Sequence, residues 1–234
     1  MSEPGDALIR DLHERMAEAA DPGRAPQMQA YMKSDMPFHG IASPVMKRLT
    51  RECFQAHPLD ETAWLAATER LWDEATHREE RYAALALFRW RTHREAAAHP
   101  DRLALYHHLA ITGAWWDLVD EIAQHLVGPV LLAHRDRVTP VIAEWAADSD
   151  IWVRRTAILS QARHKAETDP VLLDRVLNLN LEDSLHGKVF WIRKAVGWAL
   201  REYAKTDPVW VRSWVDDHDD RLSGLARREA LKHF

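Results

Sequence analysis

Along the chain, apolar residues recur at intervals of three and four, as in Leu103, Tyr106, Leu109 and Ala110 or Leu172, Val176 and Leu177. That spacing marks one face of an α-helix, and no segment alternates with the period of two expected of a strand. Glycine and proline gather between the periodic segments, at Asp21-Pro22-Gly23, Ser43-Pro44, His57-Pro58, His99-Pro100, Gly128-Pro129, Thr139-Pro140, Asp169-Pro170 and Asp207-Pro208. Proline is tolerated in a helix's first turn and pushes the residue before it out of the helical region, so these positions read as helix punctuation. Asp60 before Glu61-Thr62-Ala63-Trp64, and Asp169 before Pro170-Val171-Leu172, read as capped helix starts. The expected fold class is all-α.

An internal repeat refines that expectation. Arg81, Asp117, Arg154, Arg193 and Arg227 lie 36, 37, 39 and 34 residues apart, each in a short block of an aromatic residue or leucine, an apolar residue and polar residues. A period near 40 built from helix pairs is the pattern of HEAT-like (armadillo-type) stacked repeats, in which equivalent helices line one face. The chain is therefore expected to form a single α-helical repeat domain over residues 1–234, a solenoid with a concave basic face, with residues 1–30 as an N-terminal helix and loop. Stacking would align Arg154-Arg155, Arg193-Lys194 and Arg227-Arg228 as a basic track, although each pair alone equally fits a solvated helix face.

Composition sharpens the partner question. The 234 residues carry a formal charge of −5, with 31 Lys+Arg against 36 Asp+Glu, which by itself argues against nucleic acid. The average hides an asymmetry. Residues 151–234 hold 15 Lys+Arg and 12 Asp+Glu, net +3, leaving net −8 for residues 1–150. A basic stripe on one face is the electrostatic footprint of a polyanion site whatever the total. A hydrophobic fraction of 47% suffices for a core, the single cysteine, Cys53, forms no internal disulfide, and the longest apolar run, Leu126 to Ala133, is interrupted by Gly128-Pro129. No membrane association, secretory signal, cofactor or metal is expected, and a monomeric, cytoplasmic and nucleoid-associated protein is the simplest reading.

Chemistry concentrates in Trp115-Trp116-Asp117-Leu118-Val119-Asp120, which carries acid where the later repeats carry base. With a helix start at Thr112-Gly113, Trp116 and Asp120 at i and i+4 share one face, so an indole and a carboxylate are presented together. Trp198 follows Lys194 by four residues and shares its face, with Gly197 beside it to permit close approach. On spacing alone Trp116 reads first as a core residue, and Trp198 equally suits burial between helices. His107-His108, Cys53 with His57, and the run Asp216-Asp217-His218-Asp219-Asp220 lack a metal-site context, and no phosphate-binding glycine loop or nucleophile elbow occurs.

Taken in order, the blocks around Trp115–Asp120, Trp152–Leu159, Trp191–Tyr203 and Leu222–Leu231, together with Phe38-His39-Gly40-Ile41 and Glu80-Arg81-Tyr82-Ala83, resemble the AlkD-like DNA alkylation repair proteins. The likeness runs from about residue 30 to the C-terminus. It implies a monofunctional DNA glycosylase of HEAT-like repeats that removes positively charged N3- and N7-alkylated purines from double-stranded DNA. By that resemblance Asp120, Trp116 and Trp198 are the catalytic-site residues and Arg155 lies beside them. Leu118 departs from the family pattern, which has a small polar residue there and leaves its packing open. The basic residues Arg154, Arg155, Arg193, Lys194, Arg227 and Arg228 are the expected DNA contacts. Some relatives bind unusual DNA structures without excising a base, and a protein-binding helical adaptor is a third possibility. Alkylated purines already carry the positive charge that makes them leaving groups, so no general acid is needed, and no lysine stands as an evident Schiff-base nucleophile.

Overall fold

The structure is a computed structural model, and it describes residues 3–232 and 234. Among these residues the regular elements are all helical, and the α-helices run α1 (Glu3–Glu18), α2 (Ala25–Met32), α3 (Ser43–Ala56), α4 (Glu61–Asp73), α5 (Arg78–Phe88), α6 (Arg94–Ala97), α7 (Leu103–Gly113), α8 (Trp116–Ile122), α9 (Gly128–Ala133), α10 (Arg135–Trp145), α11 (Ile151–Leu159), α12 (Pro170–Asn178), α13 (Phe190–Ala204), α14 (Pro208–Asp217) and α15 (Gly224–Ala230). The architecture is the all-α helical repeat that the periodicity predicts. The chain divides into two compact units, residues 1–97 and 98–234.

In the first unit α1 packs on α3 and α4, and α5 packs on both. Trp64 and Trp72 are completely buried there, and the Trp64 indole N–H donates to the Leu87 carbonyl at 3.0 Å. Cys53 is also buried, beside Asp11, and burial pushes its thiol up to about 12, which removes it as a nucleophile at neutral pH.

In the second unit the helices carrying the repeat blocks form one row, with α8 against α11, α11 against α13 and α13 against α15. Helices α10, α12 and α14 form the other layer, α10 and α12 against α11 and α14 against α13 and α15. The predicted caps are present: Asp60 accepts from the Ala63 N–H at 2.8 Å, and Asp169 accepts from Val171 and Leu172 at 2.9 and 3.2 Å. Gly197 lets α13 approach α15, since a β-carbon there would stand 2.7 Å from the Ala226 carbonyl oxygen and from the Glu229 β-carbon. Leu118, the departure from the family pattern, is fully buried, so the core takes it in.

Two local expectations are corrected. Pro140 does not separate helices but lies inside α10, where its ring removes one backbone hydrogen bond without ending the helix. The helix start predicted at Thr112-Gly113 is instead the end of α7: Ala114 takes a left-handed conformation (φ 40°), Trp115 is extended, and α8 begins at Trp116. The left-handed region costs an alanine about 1–2 kcal/mol, so neighbouring packing must hold it there.

Candidate active site

The sharp turn at Ala114-Trp115 sets α8 against α11, and the chain continues from α8 through a π turn, Ala123–Val127, into α9. Such π turns insert an extra residue and often accompany functional sites. Trp116 opens α8 half-buried, and Asp120 stands one turn later on the same face.

Asp120 is 8% exposed and Arg155 4%. The Arg155 guanidinium donates from Nε to Asp120 Oδ1 at 2.7 Å and from Nη2 to Oδ2 at 2.9 Å, a bidentate, charge-assisted pair across α8 and α11. Its remaining arm, Nη1, donates to the Trp191 carbonyl at 2.6 Å. Burial pushes the Asp120 carboxyl above the usual carboxylate range, and Arg155 opposes that rise. The carboxylate is thus aimed by a guanidinium whose three nitrogens each donate to a protein acceptor.

One of three mutually packed indoles adjoins this pair. Trp115, Trp152 and Trp191 form a triangle with ring centroids 5.9, 5.2 and 5.9 Å apart, and the Arg155 guanidinium carbon lies 5.9 Å from the Trp191 ring. The Trp115 indole N–H is buried with no hydrogen-bond partner among the described residues. The sequence reasoning did not assign these three as site residues. A signal was present: they recur at 37 and 39 residues, each two positions before Asp117, Arg154 and Arg193.

Trp198 lies on the same face of α13 as Trp191, two turns on, half-buried. Its indole N–H donates to Glu202 at 3.1 Å, and Arg201 stands 6.0 Å from its ring. Trp198 thus stands about 10 Å along α13 from Trp191.

The three basic pairs divide by position. The first member of each holds a connecting segment. Arg154, 5% exposed, donates to the carbonyls of Ala147, Asp148 and Leu179 and to Asn180. Arg193 pairs with Glu182 at 2.5 Å, and Arg227 pairs with Asp219 and, at 3.8 Å, Asp216. The second members lie in phase along the row: Arg155 on Asp120, Lys194 on Glu229 at 3.0 Å, and Arg228 exposed with no ion pair among the described residues. Arg154 is thus a buried structural arginine rather than a surface cation. Arg155 is likewise buried, with its guanidinium tied to Asp120 and the Trp191 carbonyl.

A row of repeat helices that presents a buried, arginine-aimed carboxylate among tryptophans defines a helical-repeat protein with an aromatic, anionic site. The chain belongs to the DNA alkylation repair enzyme family, whose sequence model matches residues 12–234. A solved structure described as a predicted DNA alkylation repair enzyme from Enterococcus faecalis is similar to it over 92% of this chain and 96% of its own, at 28% identity and a TM-score of 0.78. No curated protein matches.

Proposed function

We propose that this family member is a monofunctional DNA glycosylase that hydrolyses the N-glycosidic bond of cationic N3- and N7-alkylated purines in duplex DNA. One observation carries the reading: Asp120 is a buried carboxylate whose two oxygens are fixed by Arg155 among aromatic rings. When the glycosidic bond breaks, its electron pair passes to the cationic purine, which leaves neutral and needs no acid. Positive charge then grows on the deoxyribose. A carboxylate in a poorly solvated site stabilises that charge more strongly than one in water, and it can accept a proton from the water that adds to the anomeric carbon. Trp116 and Trp198 offer ring faces to the cationic base. Arg155 is a positioning residue, since each of its three nitrogens donates to Asp120 or to the Trp191 carbonyl.

Asp120→Asn keeps the shape of the side chain and removes its charge. Release of 7-methylguanine from duplex DNA should fall by roughly a hundredfold or more, the scale of removing a preorganised electrostatic group, while duplex affinity stays within a few fold. Unchanged excision would overturn the assignment. A second reading has support in the same pair, because a doubly bonded, buried Asp–Arg bridge also suits a purely structural role in a protein that binds damaged DNA without chemistry. Salt-sensitive duplex binding by the wild-type chain with no base released from any alkylated duplex would favour it.

A further inference from the structure

The proposed excision reaction leaves unused a cluster of side chains in the first unit. Glu80, in the first turn of α5, is 4% exposed. Its carboxylate accepts from the Thr76 N–H at 2.7 Å and the Thr76 hydroxyl at 3.1 Å. Its Oε1 also faces His39 Nε2 at 3.4 Å and His77 Nδ1 at 3.6 Å. Among the described residues no lysine or arginine forms an ion pair with this carboxylate. The fold thus supplies this buried carboxylate with the Thr76 donors and two neighbouring imidazoles, and the Thr76 hydroxyl also lies 3.0 Å from His77 Nδ1, a contact that a metal ion at that nitrogen would displace.

The fold brings these residues together without a ligand. Glu79, beside Glu80, accepts from the backbone N–H groups of His39, Gly40 and Ile41 at 3.0, 2.9 and 3.1 Å. Gly40 has φ 84°, and a β-carbon there would stand 2.2 Å from the Asp21 carbonyl oxygen, so only glycine lets this segment close on its neighbour. The segment before α3 is thus locked onto the start of α5, and it delivers His39 to His77 with ring centroids 3.8 Å apart and planes 11° from parallel.

We propose that His39, His77 and Glu80 form a divalent metal site, with zinc the fitting ion. The donor atoms lie within 4.8 Å of one another. Tetrahedral zinc with bonds of about 2.0–2.1 Å separates its ligand atoms by about 3.3–3.4 Å, close to both Glu80 separations. Two imidazoles and a carboxylate with water in the fourth position match its preferences. Binding requires the stacked rings to splay so that both nitrogens face one point, and His77, with a third of its side chain exposed, has room to turn. The ion joins the segment before α3 to the start of α5 and so stabilises the first unit.

The test uses the untagged full-length chain, stripped of metal and titrated with zinc against a chromophoric chelator. One zinc per chain is expected, with His39→Ala and His77→Ala each weakening it by more than roughly tenfold. His99→Ala, a control in the second unit, leaves affinity unchanged. Zinc raises the Tm of the wild type and not that of His77→Ala. No stoichiometric zinc in the wild type, or full affinity in both variants, overturns the site. Should an alanine variant fail to fold, the wild type decides alone through its histidine ring NMR signals: selective shifts of two imidazoles at one equivalent support the site, and diffuse shifts or none refute it.

Discussion

Replacing Arg155 with methionine is the sharpest probe of the proposed site. The substitution keeps the stem and removes the guanidinium, stranding Asp120 at 8% exposure without its two bonds of 2.7 and 2.9 Å. Breaking a buried pair by removing one partner costs about 3–5 kcal/mol, because a charge remains uncompensated. Asp120 can escape that cost by taking up a proton, so in the variant its carboxyl titrates well above its unfolded value. The sign follows. The folded variant holds its proton more tightly than the unfolded chain, so the destabilisation is complete above the raised pKa and fades as pH falls toward the unfolded value. Urea denaturation followed by tryptophan fluorescence should give a large stability difference from wild type at pH 8 and a much smaller one at pH 5. Adding Asp120→Asn to Arg155→Met removes the stranded charge, so the double variant should be more stable than Arg155→Met alone at pH 8. A loss below about 1 kcal/mol that does not change with pH would mean the pair behaves as a surface salt bridge, and the argument that Arg155 holds a desolvated carboxylate would fail.

Further outcomes follow from the same geometry. Because burial raises the Asp120 carboxyl above its ordinary 3.8, 7-methylguanine excision should decline on acidification through a limb above that value; a limb at or below 3.8, measured under single-turnover conditions, contradicts this. Gly197→Ala drives a methyl group against the Ala226 carbonyl and Glu229, and it should lower stability by about 1–3 kcal/mol in urea denaturation; a neutral or stabilising result means that α15 moves aside freely. Arg154→Met should lower stability by about 2 kcal/mol or more, by orphaning the carbonyls it binds, while duplex affinity in filter binding stays near wild type; the reverse pattern would make Arg154 a DNA contact.

The repeat was legible because its signal is chemical as well as periodic. Each basic pair sits on a row helix, and the row of α8, α11, α13 and α15 follows from the 37-, 39- and 34-residue intervals. The Trp116/Asp120 spacing was readable too, since i and i+4 share a face whichever residue opens the helix. The turn that sets α8 was not legible: position 114 carries alanine where a left-handed residue is usually glycine or asparagine, and only tertiary packing holds it. Partner choice was hidden as well. Nothing local distinguishes Arg154 from Arg155, yet a rotation of about 100° around the helix sends one to loop carbonyls and the other to Asp120. The Trp115, Trp152 and Trp191 triangle illustrates the same limit, because recurrence shows equivalence but not convergence.

That division of the basic pairs also resolves how a chain of charge −5 could serve a polyanion. Arg154 is buried on carbonyls, and Arg193 and Arg227 pair with acids of their own connecting segments. Along the row the balance differs. Glu229 is shared by Lys194 and Arg201, Arg201 also faces Glu202 at 3.7 Å, and Arg228, adjacent to Glu229 in sequence, stands exposed. A phosphate arriving there can take over Lys194 while Arg201 keeps Glu229 compensated, so the exchange leaves no buried charge unpaired. Partly exposed ion pairs are weak in water, and that weakness suits them to such an exchange. For the proposed duplex substrate, the cations to weigh are therefore Lys194 of α13 and Arg228 of α15, and the acidic total reports mainly on residues 1–150.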